Sequence, residues 1–535
     1  MKKVFGILCL LLLIAGIAYS QSEYVPYSYR FSQKFNPDLY STKTREHTSL
    51  KPFFSDSLLK RHYDSLMNYG SDSASHSWGY RKLLTEHLIG IKNPGSAFYA
   101  DLLPDFTVGN DFSNSLATHI ASLGVQIGGN IGDKFSYYAS GYQSSAVVPN
   151  YLSTYITQVG IVPGQAYAKA QGPDGYEWSY LTAVASYTPV KFLNISAGRD
   201  KTFIGDGYRS LLLSDYSSPY LFFKLTGTLG NVRYMAMWTD MTDPATTSQF
   251  GYSRRKFGVF HYLDWNVSNR VSIGFFENIT GFFTDDNGQK RPFDLNYINP
   301  LIFMKPVNNS ADDPDKSLLG FTAKYKISDG LTAYGQFMLN EFRAVDFFSN
   351  NGAVDNKNGF QLGLRGTHLF GINNLNFLIE TNTVKPYTYS ARSAIENYSN
   401  NGEPLAHPWG ANFRELVGLL NYAYKRFDFS GETDLGYYGL DVPGINYGKD
   451  IFKVYTIPAR VFGNYIGQGI TTNMVYIEGK VAYVLNPRYN LRVELGGLFR
   501  DEKNTAFHDK TTMLTIGLRS SFRELYNDIA SYKTH

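Results

Sequence analysis

The 535-residue sequence has a single cysteine, Cys9, and few charged residues. Because Cys9 lies in an N-terminal apolar stretch, a chain processed after that stretch would have no disulfide, thiol nucleophile or cysteine-bound metal. Charged residues make up 18% of the chain, against about 25% in soluble domains. The formal net charge is only +4, so the charge balance gives no reason to expect nucleic acid as a partner.

Residues 1–20 have the pattern of a secretory signal peptide. Lys2 and Lys3 precede the apolar residues 4–17, and small residues follow before Gln21. The stretch is too short to favour a retained transmembrane helix, which needs about 20 apolar residues. After it no run of 18 apolar residues occurs. A mature chain in a membrane must therefore be a closed barrel, because only helices and closed barrels satisfy the backbone in lipid.

Aromatic residues and glycine are abundant. The chain has 42 tyrosines, 38 phenylalanines and 49 glycines, yet its mean hydropathy is −0.26. In a membrane barrel only one face of each strand meets lipid, so mean hydropathy stays low. The apolar content also excludes a disordered chain. The composition favours an all-β outer-membrane barrel.

From about residue 97 onward the dominant period is two, which is typical of strands. For example, Phe427 and Phe429 alternate with Asp428 and Ser430. The alternating runs are roughly 10 residues long, which matches a tilted strand that crosses a bilayer.

Short and long connections alternate along this region. The short ones are at 130–134, 188–191, 229–232, 267–270, 328–331, 370–375, 424–427 and 485–489. The long ones are near 146–177, 200–219, 242–254, 284–316, 343–358, 388–411, 439–470 and 501–510. Outer-membrane barrels have tight periplasmic turns and larger outer loops. Eight turns join sixteen strands, and strands near 98–108 and 511–522 bring the number to eighteen. We interpret 293–305 as loop, because another strand there would break the alternation.

These boundaries divide the chain into four predicted parts: a signal peptide at 1–20, a periplasmic helical segment at 21–96, an outer-membrane barrel at 97–522 and a C-terminal tail at 523–535. In the helical segment, Leu58, His62 and Leu66 recur at helical spacing, as do apolar residues within 78–88. Ser77 is a candidate N-cap for the second helix. We expect both helices in the periplasm or at the inner mouth of the barrel.

No sequence motif points to catalysis or to a metal or cofactor. The ten histidines lack the spacing of zinc ligands, and neither a nucleophile elbow nor a P-loop is present. Glu432 and Asp434 share a strand face and could form a glycosidase pair. Solvated groups on a barrel wall are the more frequent explanation of such a pair. The sequence therefore predicts that the protein is not an enzyme.

The connection at 198–215 holds the candidate binding residues. They are Arg199, Asp200, Asp206, Tyr208 and Arg209. Guanidinium forks and aromatic rings suit the binding of polysaccharide. The alternative is a loop that folds inward and is pinned by arginine–aspartate pairs, and the two interpretations are compatible.

The strand count also predicts where these residues lie. The strand after the turn at 188–191 would run outward and carry Arg199 and Asp200 to the outer rim. Arg199 and Arg209 both keep their charge and need partners. The nearest candidates along the chain are Asp200, Asp206 and Asp215.

Several segments resemble the Wzi-type capsule-assembly barrels of Bacteroidetes. They are 78–88, 198–215, 296–300 and 398–412. The resemblance implies an eighteen-stranded outer-membrane barrel with a small periplasmic helical part and no catalysis. It also implies a role in holding surface polysaccharide, since the group includes proteins of capsule attachment and of gliding motility. The partners to expect are surface polysaccharide, outer-membrane lipid and the gliding or secretion machinery.

Three functions remain open from the sequence. A polysaccharide-binding surface protein fits the 198–215 segment and the resemblance. A passive porin-like channel fits the polar inward strand faces, which carry both charge signs. An outer-membrane hydrolase rests on the carboxylate pairs alone.

Overall fold

The computed structural model describes residues 28–532, except 54–56, 70–75, 173, 245–250, 286, 292–294, 304–315, 342–347, 349–350, 521 and 524. The predicted signal peptide lies outside the described residues. Within them, eighteen antiparallel strands form a closed barrel. In chain order these are β1 Ser96–Asp111, β2 Leu116–Ile131, β3 Phe135–Val147, β4 Gly175–Val190, β5 Leu193–Asp200, β6 Tyr220–Leu229, β7 Val232–Asp243, β8 Arg254–Asn266, β9 Val271–Phe282, β10 Lys316–Ser328, β11 Leu331–Glu341, β12 Lys357–Gly366, β13 Leu375–Val384, β14 Phe413–Tyr424, β15 Phe427–Leu440, β16 Ile470–Asn486, β17 Leu491–Lys503 and β18 His508–Ser520.

Each strand pairs with its neighbours in sequence, and β18 closes the barrel against β1, with Met513 opposite Asp111 and Leu518 opposite Phe106. The predicted eighteen-stranded barrel is confirmed. The eight short connections lie at one end, called here the turn end, and the other connections at the loop end. The connection predicted as long near 501–510 is only the four residues 504–507. Between β9 and β10, Leu295–Ile298 is a 3-10 helix, and the described residues of 293–305 contain no strand.

The two faces of the wall differ because side chains alternate along each strand. On β2, Leu123, Val125 and Ile127 point outward and are exposed, whereas Ser122 and Gln126 point into the lumen and are buried. An apolar outside and a polar inside are what a barrel in a bilayer requires.

No helix of the described residues is long and apolar enough to cross a bilayer. The longer helices are Ser57–Met67, Trp78–Leu84 and Asn150–Val159. Short helical turns span Tyr29–Ser32, Gln33–Phe35, Asn36–Leu39, Leu369–Gly371, Ala394–Glu396 and Pro487–Tyr489. Short strands outside the eighteen are Leu50–Lys51, Ile89–Asn93, Ile161–Val162, Ala166–Tyr167, Lys169–Gln171, Phe203–Ile204, Ser399–Asn400 and Glu403–Pro404.

The two predicted N-terminal helices are present, at 57–67 and 78–84. Ser77 is the N-cap of the second, and its hydroxyl accepts a hydrogen bond from the Tyr80 N–H. Tyr489 in the last short connection donates to the Leu83 carbonyl at 3.2 Å, so this helix lies at the turn end.

The residues before these helices enter the lumen. Leu50–Lys51 pair with Phe203–Ile204 inside the barrel. Arg30 lies 2.6 Å from Glu478 of β16, and Lys34 lies 2.8 Å from Asp428 of β15. Sequence analysis did not predict this insertion, because its anchoring residues are polar groups without a period.

The C-terminal tail also runs through the lumen. After β18 ends at the turn end, the chain turns back, and Ile529 and Ala530 are almost fully buried. Tyr532 reaches the loop end, where its ring meets that of Tyr155 in the helix Asn150–Val159 at 6.3 Å. The tail therefore crosses the barrel from one end to the other.

Candidate functional site

The connection between β5 and β6 leaves the wall below the rim. Arg199, near the end of β5, pairs with Ala183 of β4, and β4 continues from there to Gly175 at the loop end. The prediction that Arg199 and Asp200 reach the outer rim is therefore wrong. The physical reason is the apolar run Leu211–Leu213, which is fully buried in the lumen and draws the segment inward.

Asp206 lies in the lumen and holds the N-terminal segment. Its carboxylate accepts hydrogen bonds from Tyr40 at 2.9 Å, from Ser49 at 2.5 Å and from Thr48. Lys324 of β10 lies 3.8 Å away. Burial alone would raise the pKa of Asp206, but Lys324 and the hydroxyl donors hold it well below its usual value.

Arg209 is 3% exposed and lies among three carboxylates. Its guanidinium is 3.1 Å from Glu415 of β14, 3.1 Å from Asp434 of β15 and 2.8 Å from Asp528 of the tail. The predicted partners Asp200, Asp206 and Asp215 are not among its described ion pairs, and that prediction is wrong. The partners come from distant parts of the chain, which sequence proximity cannot reveal.

Tyr208 completes this cluster. Its hydroxyl donates to Asp528 at 2.8 Å and to Glu432 at 3.2 Å. The N–H groups of Tyr208 and Arg209 donate to Glu380 of β13, at 3.0 and 3.1 Å. Glu432 and Asp434 do share the inner face of β15, and both contact the inward segment, through Tyr208 and Arg209.

Four segments of the described residues occupy the lumen, and together they are called the plug. They are 28–51, 201–219, 385–412 and 522–532. Trp409 stands at their centre, fully buried, and its indole N–H donates to the Asp528 carbonyl at 3.1 Å. A cavity of about 170 Å³ remains beside the plug. It is lined by charged residues of both signs, including Arg30, Lys34, Asp428, Glu478, Lys480 and Arg519.

Glu403 ties three connections together at the loop end. It accepts hydrogen bonds from the Gly164 N–H at 2.6 Å and from the N–H and hydroxyl of Ser218, at 2.8 and 2.5 Å. Burial raises the pKa of Glu403 to about 7. The Glu403 carboxyl is thus a titratable group whose hydrogen bonds link the plug to an outer connection.

Sequence analysis did not identify an exposed aromatic patch in the connection between β15 and β16. Ile457, Phe462 and Tyr465 are 75%, 57% and 58% exposed, and the Arg460 guanidinium lies 5.6 Å from the Tyr465 ring centroid. These four residues are called the outer patch. The available signal was the pair of aromatic residues beside an arginine in a loop rich in glycine.

Backbone hydrogen bonds fix the shape of this patch. The Val354 N–H donates to the Val461 carbonyl at 2.9 Å, and the Asn464 N–H donates to the Gly352 carbonyl at 3.0 Å. The Asn464 side chain also donates to the Arg460 carbonyl at 3.1 Å. The patch is therefore preorganised by a neighbouring connection.

The chain matches no protein-family profile and no curated protein sequence. Among solved structures it is similar to Wzi, an outer-membrane protein involved in group 1 capsule assembly in Escherichia coli and described as a carbohydrate-binding β-barrel. The identity is 13%, the match covers 94% of this chain and 100% of Wzi, and the TM-score is 0.55. Acinetobacter baumannii OccAB2 matches at 10% identity over 79% of this chain and 98% of its own, with a TM-score of 0.43. The similarity to Wzi supports the fold, that of an outer-membrane barrel.

Proposed function

We propose that this protein binds or organises surface polysaccharide at the outer membrane, without catalysis and without forming an open channel. The observation that carries the proposal is the filled lumen. Four separate segments meet inside the barrel, and Arg209, Trp409 and Asp528 are buried where they meet. Because these segments occupy the lumen, we place the action of the protein on its surface at the loop end.

The loop end faces the outside in this proposal, because short turns of outer-membrane barrels are periplasmic. The outer patch supplies groups that suit a sugar chain. Ring faces of Phe462 and Tyr465 can stack on sugar rings. The Arg460 fork can take a carboxylate of an acidic glycan in bidentate fashion.

The five binding residues predicted from the sequence are not part of the outer patch. That Arg199, Asp200, Asp206, Tyr208 and Arg209 contact polysaccharide stays a prediction. Asp206 and Arg209 are 4% and 3% exposed, so a glycan could reach them only after the plug had moved. Their contribution in the resting state is to hold the plug in place.

The proposal extends to capsule attachment or gliding motility. It draws on the Wzi-type motifs of the sequence and on the carbohydrate binding ascribed to Wzi. The sequence motifs are also similar to those of RemB, a gliding-motility surface protein. In that role the gliding or secretion machinery would be a further partner.

A porin-like channel is the second candidate, and the charged cavity beside the plug favours it. Two measurements separate the candidates. Purified protein applied to an array of acidic and neutral bacterial polysaccharides should bind at least one class, and planar bilayers containing it should show no large steady current. A large open current without glycan binding would overturn the proposal in favour of the porin.

A further inference from the structure

The connection between β9 and β10 descends over the outside of the wall. The Trp238 indole N–H donates to the Tyr297 carbonyl at 2.7 Å, and the Tyr234 hydroxyl donates to the Pro300 carbonyl at 2.5 Å. Both donors point outward. Met235 and Met237 alternate with them along β7 and belong to the lumen cluster, so Tyr234 and Trp238 lie on the opposite face. Residues 297–303 are called the strap.

The strap reaches far down the barrel. Tyr234 is the third residue of β7, whose first residue, Val232, lies at the turn end. The Tyr297 ring is buried against Phe257 of β8, with ring centroids 4.6 Å apart and planes at 78°. The strap therefore runs down the outer wall from the loop-end half, at Phe257, to Tyr234 near the turn end, across the level where a bilayer surrounds the barrel.

A pair of ionisable residues lies beneath the strap. His261 and Glu277 face each other across β8 and β9, with 3.0 Å between imidazole and carboxylate. They point outward, since their neighbours Phe260 and Phe276 lie in the lumen cluster. Their exposure is only 2% and 0%. Ionisable groups on the lipid side of a membrane protein are rare and costly, so a cover that removes them from lipid is physically required.

The strap contacts this pair directly. The Phe303 N–H donates to the Glu277 carboxylate at 2.9 Å. The Tyr234 ring stacks on His261, with centroids 6.3 Å apart and planes at 14°. Tyr234 thus both covers the imidazole and holds the Pro300 carbonyl.

We propose that the strap lies within the hydrocarbon layer of the membrane, and that lipid acyl chains are the partner of its outer side. Irregular backbone at that depth is tolerated where it is buried against protein, and the inner side of the strap is held against β7 and β9. Here the Tyr297 and Pro300 carbonyls and the Phe303 N–H bond to the wall, and Pro300 has no N–H to satisfy. The side chains that the strap turns outward are apolar, with Ile298 and Leu301 56% and 57% exposed.

Spin labels in reconstituted liposomes test this placement. A cysteine at Leu301 should carry a label that collides frequently with oxygen and rarely with a water-soluble nickel chelate, because oxygen concentrates in hydrocarbon. Leu123→Cys on the exposed face of β2 gives the lipid reference, and Ile457→Cys in the outer patch gives the aqueous one. Frequent nickel collisions at Leu301→Cys would place the strap in water, and rare collisions with both reagents would place it against another protein chain. Either result overturns the proposal.

A second measurement asks whether the wall holds the strap. The double variant Tyr234→Phe/Trp238→Phe keeps an aromatic ring at each position but removes the two donors to strap carbonyls. In the Leu301→Cys background it should raise the nickel collision rate severalfold, since two carbonyls lose their partners. The matched control Tyr325→Phe/Trp265→Phe changes two exposed wall residues and should leave the rate unchanged. An unchanged rate in the first variant would overturn the role assigned to these donors.

Discussion

The Arg209 guanidinium lies 2.8 Å from the Asp528 carboxylate, so an outer connection and the C-terminal tail are joined inside the barrel. Both side chains are almost fully buried. Removing one partner of a buried pair leaves the other charge uncompensated, at a cost of about 3–5 kcal/mol. The ion pair is therefore a point at which the plug can be weakened.

We expect Arg209→Ala to loosen the plug while the barrel still assembles. Three carboxylates, those of Glu415, Asp434 and Asp528, would lose their shared cation and repel one another. Bilayer conductance should rise above that of the wild type, and heat-modifiable migration on gels should persist. Arg255→Ala is the control, because its ion pair with Asp240 is exposed and contributes about 0–1 kcal/mol. A conductance identical to that of the control would contradict this role of Arg209.

Deletion of residues 523–535 should open the lumen further. The wall is complete at Ser520, where β18 ends, so closure against β1 does not need the tail. Asp528 of the tail contacts both Tyr208 and Trp409, and the deletion removes both contacts inside the lumen. Planar-bilayer recordings of the truncated protein should show a larger current than those of the full chain. If the truncated chain is recovered in the outer membrane and remains as closed as the wild type, the other plug segments suffice to seal it.

Arg460→Ala and Tyr465→Ala should each weaken polysaccharide binding about fivefold. An aromatic contact contributes about 0.5–1.5 kcal/mol beyond the area it buries. Both residues are exposed at the loop end, so assembly and conductance should not change. Tyr252→Ala, which removes a tyrosine of similar exposure in another connection, serves as the control in the same binding titration. Equal binding by all three variants would exclude the outer patch as the contact surface.

The local stability of the loop end around Glu403 should depend on pH. Its pKa is about 7 in the folded protein, above the ordinary value of 4.5. The folded state therefore holds this proton more tightly than the unfolded state, and the stabilisation is fully present below pH 4.5, falls as the pH rises and is lost above pH 7. Hydrogen exchange of residues 161–167 and 399–404, corrected for intrinsic rates, should be faster at pH 8 than at pH 5.5. Glu403→Gln should abolish the difference, and a difference that persists in this variant would assign the titration to another group.

Much of the barrel could be predicted because its signals are local. Period-two alternation and the lengths of the connections identified the strands and turns, and β18 begins and ends close to the predicted limits. Ser77 also gave the start of a helix correctly. The missed features, by contrast, are contacts between distant residues. Tyr208 and Asp528 are 320 positions apart, and nothing near either one indicates the other.

The sequence by itself determined the wall of this protein, because a strand that crosses a bilayer must place apolar side chains on one face and polar ones on the other. Which residues fill that wall was decided only by the tertiary structure. The polar inner face is compatible with water or with protein, and its pattern does not distinguish them. The choice depends on whether segments far apart in sequence, such as 28–51 and 522–532, bring complementary charges and apolar groups to the same point in the lumen. Arg209 and Trp409 lie at that point, where Asp528 of the tail contacts both.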